Sequence, residues 1–213
     1  MSYILNITGF ILKGSIVTLK LYAVAIVFSI PLGIVGALGK TSNKKWLKNI
    51  LEIYIWIIRG TPLLLQLFFV YFGLPVFGIK LGRFQAAAIT FIINYGAYFT
   101  EIFRAGIESV DKGQYEAAKA LGMNYKQTMR RIILPQAIKR VLPPTSNEAI
   151  TLMKDTALVA AISMGDILRA AKEVLTRDFN VTPFIIAAII YLLLTSVVVL
   201  VFKQLEKKYA IYE

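Results

Sequence analysis

Residues 183–202 read PFIIAAIIYLLLTSVVVLVF, twenty positions without a charge. The hydrocarbon core of a bilayer is about 30 Å thick, and a helix needs about 20 mostly apolar residues to cross it. This stretch meets that length unaided, so it reads as a membrane span. Working toward the N-terminus, four more stretches qualify: 136–162, 84–103, 51–77 and 14–39. Two of them are interrupted, one by Pro143-Pro144 and the other by Arg59-Gly60-Thr61-Pro62. Residues 3–12 are apolar but too short to cross, which predicts a separate interfacial helix. They do not read as a cleaved signal, because the only early base, Lys13, follows the apolar run. The expected fold is all-α: a polytopic helical membrane protein with five transmembrane helices (about 14–39, 51–77, 84–103, 136–162 and 183–203), one domain over 1–213.

Composition supports this. Hydrophobic residues make up 57% of the chain and charged residues 17%, against roughly 45–50% and 25% in soluble domains. Disorder is excluded. The absence of Cys and His excludes a disulfide scaffold, a metal site of the usual zinc type, thiol nucleophiles and Ser–His–Asp chemistry. A net charge of +12 could mark nucleic acid or membrane, and the placement of the charges decides. They cluster between apolar stretches, which is the membrane pattern and gives no reason to expect nucleic acid.

Basic residues also orient the chain. Lys40, Lys44, Lys45 and Lys48 follow span one, while Lys112, Lys119, Lys126, Arg130 and Arg131 lie between spans three and four. Lys203, Lys207 and Lys208 lie in the tail. With five spans, an N-terminus outside and a C-terminus in the cytoplasm put all three groups inside.

Residues 106–135 are too polar to span and strongly patterned. Asp111 with Gln114, and Asn124 with Gln127, are capping-box patterns. Gly122 is placed to end the first helix in the left-handed conformation. The reading is a helix–turn–helix with an apolar underside of Ala117, Ala118, Leu121, Met123 and Met129. Such a hairpin is either plain packing or a knob that docks into another protein.

Within it stands Glu116-Ala117-Ala118-Lys119-Ala120-Leu121-Gly122, then nine residues, then Ile132-Ile133-Leu134-Pro135. This resembles the EAA loop of importer-type ABC transporter permeases: Glu-Ala-Ala, a Gly four residues on, and Ile-x-Leu-Pro after nine more. Flanking stretches agree, namely Arg59-Gly60-Thr61-Pro62-Leu63-Leu64, Glu101-Ile102-Phe103-Arg104-Ala105-Gly106-Ile107 and Lys154-Asp155-Thr156-Ala157-Leu158. Together they look like the polar amino acid uptake branch, with Ala157 a small departure where many relatives carry Ser. The resemblance implies a permease core in the inner (cytoplasmic) membrane, paired with a second permease chain, either as a homodimer, the expected form, or with a sister chain. It implies two ABC ATPase subunits, an extracytoplasmic amino acid-binding protein and an amino acid substrate. Glu116, Ala117, Ala118, Gly122 and Met123 would form the coupling contact with the ATPase. ATP and Mg would be bound by that partner, with no cofactor on this chain and no enzyme activity of its own. The chain accordingly has no G-x-x-x-x-G-K-[ST] phosphate cradle.

Polar residues inside a membrane are costly and mark pathways. Asn94, Tyr98 and Glu101 share one face of span three; Glu148, Thr151 and Asp155 share one face of span four, with Asn147 beside Glu148. Asn94 and Glu148 fall at similar depth, so these seven residues are the candidate substrate site. The plainer readings are a Glu101–Arg104 pair, Asn94 as a helix–helix hydrogen bond, and Arg59 reaching the inner headgroups or bracing Gly60-Thr61-Pro62. Two carboxylates without an equal cation predict a preference for basic amino acids. The alternatives are an ion-gradient-driven secondary transporter using Glu101 or Asp155, and a non-transporting scaffold.

Overall fold

The computed structural model describes residues 2–210, so the outermost ends of the 1–213 domain lie outside the described residues. Regular structure among these residues is helical throughout. Helix α1 (Ser2–Thr41) is continuous for 40 residues and contains Pro31. At 1.5 Å per residue it is about 60 Å long. The separate interfacial helix expected over 3–12 is therefore absent: no glycine–proline break or polar turn divides it from the first span, and the two form one rod.

Helix α2 (Lys45–Gly60) and helix α3 (Leu63–Phe68) are the halves of the second apolar stretch. A π-helical turn, Phe69–Gly73, and a 3-10 turn, Leu74–Phe77, complete it. The two halves meet at 102°. Proline supplies no N–H and disfavours helix in the residue before it, so Thr61 is extended (φ −121°, ψ 145°) and the axis turns there.

Helix α4 (Arg83–Glu108) lies along α1. A Cβ on Gly36 of α1 would stand 2.2 Å from Oγ1 of Thr100, and one on Gly33 would stand 2.4 Å from Cβ of Phe99. Lipid tails are as apolar as leucine, so helices in a bilayer associate through close packing of this small-residue kind.

Two short helices follow, α5 (Lys112–Ala120) and α6 (Tyr125–Thr128). A π-helical turn, Met129–Ile133, runs from α6 directly into α7 (Leu134–Asp155). The interruption expected at Pro143-Pro144 does not occur; α7 passes through both prolines. The axis instead tightens into a 3-10 segment at Thr156–Ile162. Asp166 caps α8 (Ile167–Asp178), its carboxylate accepting from the N–H groups of Leu168 and Arg169 at 3.0 and 3.1 Å. Burial pushes this carboxyl above the usual range, against the pull of those donors. Helix α9 (Thr182–Ala210) ends the described chain.

Among the described residues, three helices are long and apolar enough to cross a membrane, and the bent α2–α3 pair makes a fourth if taken as one span. The α7 helix falls outside this group, carrying Lys139, Arg140, Glu148, Lys154 and Asp155 among its residues. The central core stacks Phe91, Tyr95 and Phe99 of α4 against Leu21, Leu67 and Leu152. A second cluster packs Ile7 and Ile11 against Ile167, Val174 and Ile190. Val27, Phe28, Trp56, Leu192 and Leu200 are exposed, as suits faces turned to acyl chains.

Candidate substrate cavity and coupling hairpin

A cavity of ≈ 480 Å³ opens between the α2–α3 bend, α4 and α7. Asn94 and Tyr98 reach it from α4, and Glu148, Thr151 and Asp155 from α7. Five of the seven residues expected from helical spacing are thus on one surface. Its volume is within the range of pockets that hold small ligands. The other two expected residues are elsewhere. Asn147 is exposed on α7, its carbonyl accepting from the Thr151 hydroxyl at 3.0 Å. The Glu101 carboxylate is held by Lys40 Nζ and Arg104 Nη2, each at 2.7 Å. Arg104 also pairs with Glu108. The plainer Glu101–Arg104 reading is therefore what the structure has, with Lys40 added across from α1.

Sequence reasoning missed part of this wall. Arg59, Gly60, Thr61 and Pro62 line it from the bend. The Arg59 guanidinium lies 5.0 Å from the Tyr98 ring centroid, a cation–π separation. It stands beside Gly60, Thr61 and Pro62 on the cavity wall, so one cation shares the cavity with the two acids Glu148 and Asp155. The Tyr95 hydroxyl donates to Asp155 Oδ2 at 2.7 Å, so a tyrosine on the neighbouring turn of α4 orients that carboxylate. Asn94 Nδ2 donates to Gln66 Oε1 at 3.0 Å; it makes the interhelical bond and lines the cavity as well. The Arg59-Gly60-Thr61-Pro62 interruption of an apolar stretch is the signal in the sequence for the missing wall.

The 106–135 segment forms the expected hairpin. Asp111 Oδ1 accepts from the Gly113 N–H at 2.6 Å and caps α5, but Gln114 does not reach back; its side chain accepts from Gln136 at 3.4 Å. The second capping box is complete, Asn124 and Gln127 exchanging two bonds of 2.9 Å. Gly122 has φ +72°. Its N–H donates to the Lys119 carbonyl and the Met123 N–H to the Ala118 carbonyl, both at 3.0 Å. That pair is the Schellman arrangement, which needs a left-handed residue at the turn. Ala118 is fully buried and Met123 half-buried, whereas Glu116, Ala117 and Leu121 are exposed. The underside is therefore smaller than the pattern suggested: Ala118 and Met129 face inward, and Leu121, 78% exposed, faces out. Ile107, Val110, Met129, Ile133 and Ala137 fasten the hairpin to the ends of α4 and α7.

Comparison with known proteins now decides the family. Residues 29–211 match the family described as binding-protein-dependent transport system inner membrane component. The chain belongs to that family.

Among the permease's relatives, the arginine transport system permease protein ArtQ of Bacillus subtilis (strain 168) is 43% identical, over 93% of this chain and 92% of the relative. A putative glutamine transport system permease protein, GlnP of Rickettsia bellii, is 41% identical over the same shares. The L-cystine transport system permease protein TcyB of Bacillus subtilis is 39% identical, over 93% of this chain and 86% of the relative. A crystal structure of an amino acid ABC transporter with histidines superposes with a TM-score of 0.89 at 39% identity, covering 97% of each chain. This membership overturns the secondary-transporter and scaffold alternatives: the permease is the membrane component of a transport system that depends on a binding protein. Glu101 is also unsuited to the ion-site role which that alternative gave it, being already engaged by two cations.

Proposed function

We propose that this chain is the membrane subunit of an ATP-driven amino acid importer that favours basic amino acids. The carrying observation is the charge set of the cavity: Glu148 and Asp155 against the single guanidinium of Arg59. An amino acid zwitterion gives its carboxylate to Arg59 and its ammonium to one acid. The second acid then remains for a cationic side chain, and only a basic amino acid balances the set. Relatives named for arginine, glutamine and cystine transport mean that membership alone leaves the choice open, so the reading rests on these side chains. Asn94, Tyr98 and Thr151 complete the binding surface.

In this reading α7 is the fifth span, and its polar face is what the cavity needs. The N-terminus lies outside and the C-terminus in the cytoplasm. Two copies pair, each with an ATPase subunit that binds ATP and Mg, and an extracytoplasmic binding protein delivers the substrate. The hairpin docks through Glu116, Ala117 and Leu121, with Ala118, Gly122 and Met123 shaping the turn behind them. A capped, anchored helix passes on a rigid-body displacement that a slack loop would absorb.

The test is uptake by proteoliposomes holding permease, ATPase and binding protein. Arginine is taken up in preference to glutamine and glutamate. Glu148→Gln lowers the arginine-to-glutamine ratio about tenfold, the value of one charge-assisted hydrogen bond. Equal wild-type transport of glutamate and arginine, or an unchanged ratio in the variant, would overturn the preference.

A further inference from the structure

Pro62 leaves a debt at the bend. In a regular helix the Ile58 carbonyl accepts from the N–H of residue 62, and proline has none. Gln66 replaces it: Nε2 donates to the Ile58 carbonyl at 2.8 Å, to the Thr61 hydroxyl at 2.8 Å and to the Thr61 carbonyl at 3.1 Å. Two of these partners are carbonyls, which only accept. The Gln66 amide therefore has one workable orientation, nitrogen toward the bend and oxygen toward α4. Asn94 must meet that oxygen with its own nitrogen, and does so at 3.0 Å. Its carbonyl oxygen is then the group left for the cavity that Asn94 lines.

We infer that Gln66 is a positioning residue that fixes Asn94 as a hydrogen-bond acceptor for the substrate's α-ammonium, the orientation being dictated by the carbonyl that Pro62 leaves without a donor. Asn94 is only 4% exposed. At that burial a donor aimed at an ammonium is penalised and an acceptor is rewarded. The inference rests on the amino acid reading above and adds to it the end of the substrate that Asn94 touches.

The experiment measures binding of arginine and of its des-amino analogue, guanidinopentanoate, to the intact permease–ATPase complex in detergent. Gln66→Met keeps the length of the side chain and removes its amide. Arginine affinity falls about tenfold while the analogue's is unchanged, because the analogue has no ammonium to lose. Adding Asn94→Asp to Gln66→Met restores arginine binding, since a carboxylate accepts in either rotamer. Gln66→Glu is the second variant, should Gln66→Met fail to assemble with the ATPase. Protonated, the form that two carbonyl neighbours favour, its O–H donates to the bend and its carbonyl oxygen meets Asn94, so the preference for arginine over the analogue survives. Equal losses for both ligands in Gln66→Met, no rescue in the double variant, or loss of discrimination in Gln66→Glu each overturn the positioning role. A wild-type complex that binds neither arginine nor glutamine overturns the amino acid reading instead, and the ammonium assignment with it.

Discussion

Glu101 and Glu148 are both acids on helices that cross the core, and their surroundings give them opposite duties. Glu101 has two cations within 2.7 Å, and its side chain is 17% exposed. Glu148 lines the cavity without a hydrogen-bonded cation of its own helix face, and shares the space with Arg59 and Asp155. An exposed ion pair contributes about 0–1 kcal/mol, and breaking a buried one costs about 3–5. Glu101 lies between these limits and is a clamp between α1 and α4. Glu101→Gln therefore lowers the thermal midpoint of the purified complex by an amount corresponding to about 1–3 kcal/mol, with KM for the transported amino acid unchanged. A raised KM at unchanged stability would return Glu101 to the substrate surface. The spacing of Asn94 and Tyr98, and of Glu148, Thr151 and Asp155, was legible because helical periodicity alone sorts residues by face. Arg59 and Gln66 were not legible. What places them is a bend whose angle follows from tertiary packing, and Lys40, which disqualifies Glu101, lies 61 residues away.

At the scale of elements, the hairpin shows how local signals and long-range packing divide the work. Gly122 and the Asn124–Gln127 box are written in four or five adjacent residues, and both form as their chemistry requires. Which hairpin residues turn inward depends on α4 and α7, so the apolar pattern overstated the buried side. The continuity of α1 was hidden for a related reason. Lys13 follows the short apolar run of 3–12, yet it is exposed, and a long lysine side chain can reach from an apolar surface toward water without ending the helix. The bend at Pro62 and the straight passage through Pro143-Pro144 make the same point. A proline removes one bond in either case, and neighbouring packing decides whether the axis turns. Asn124→Ala removes one half of the capping box and costs the hairpin about 1 kcal/mol. Substrate-stimulated ATP hydrolysis by the reconstituted complex is expected to fall severalfold, with amino acid binding in detergent unaffected. Hydrolysis at the wild-type rate would mean that the order of this turn is immaterial to coupling.

For the molecule as a whole, the cavity and the hairpin are joined by the same two helices, α4 and α7. The α4 helix carries Asn94 and Tyr98 at mid-length and Ile107 at the hairpin, while α7 carries Ala137 at the hairpin and Glu148 and Asp155 at the cavity. In the proposed reading, a shift of the hairpin thus has two helices, α4 and α7, that lead from its anchoring cluster to the cavity side chains. The seam between α1 and α4 is packed too closely at Gly33 and Gly36 to admit even a methyl group.

The 40-residue rod of α1 makes this a problem in mechanics. It is about twice as long as the hydrocarbon is thick, and it is pinned near both tips: the Tyr3 hydroxyl donates to Asp178 at 2.7 Å, and Lys40 holds Glu101 at 2.7 Å. The sharpest break in the chain lies elsewhere, at the 102° elbow between α2 and α3, and that elbow is the candidate hinge. Because the chain has no native cysteine, pairs of spin labels can be placed at will. Two labels along α1 keep their separation through the ATP cycle, and two labels astride the elbow change theirs. The elbow carries Arg59, so a hinge at that point would, in the proposed reading, move the guanidinium assigned to the substrate carboxylate.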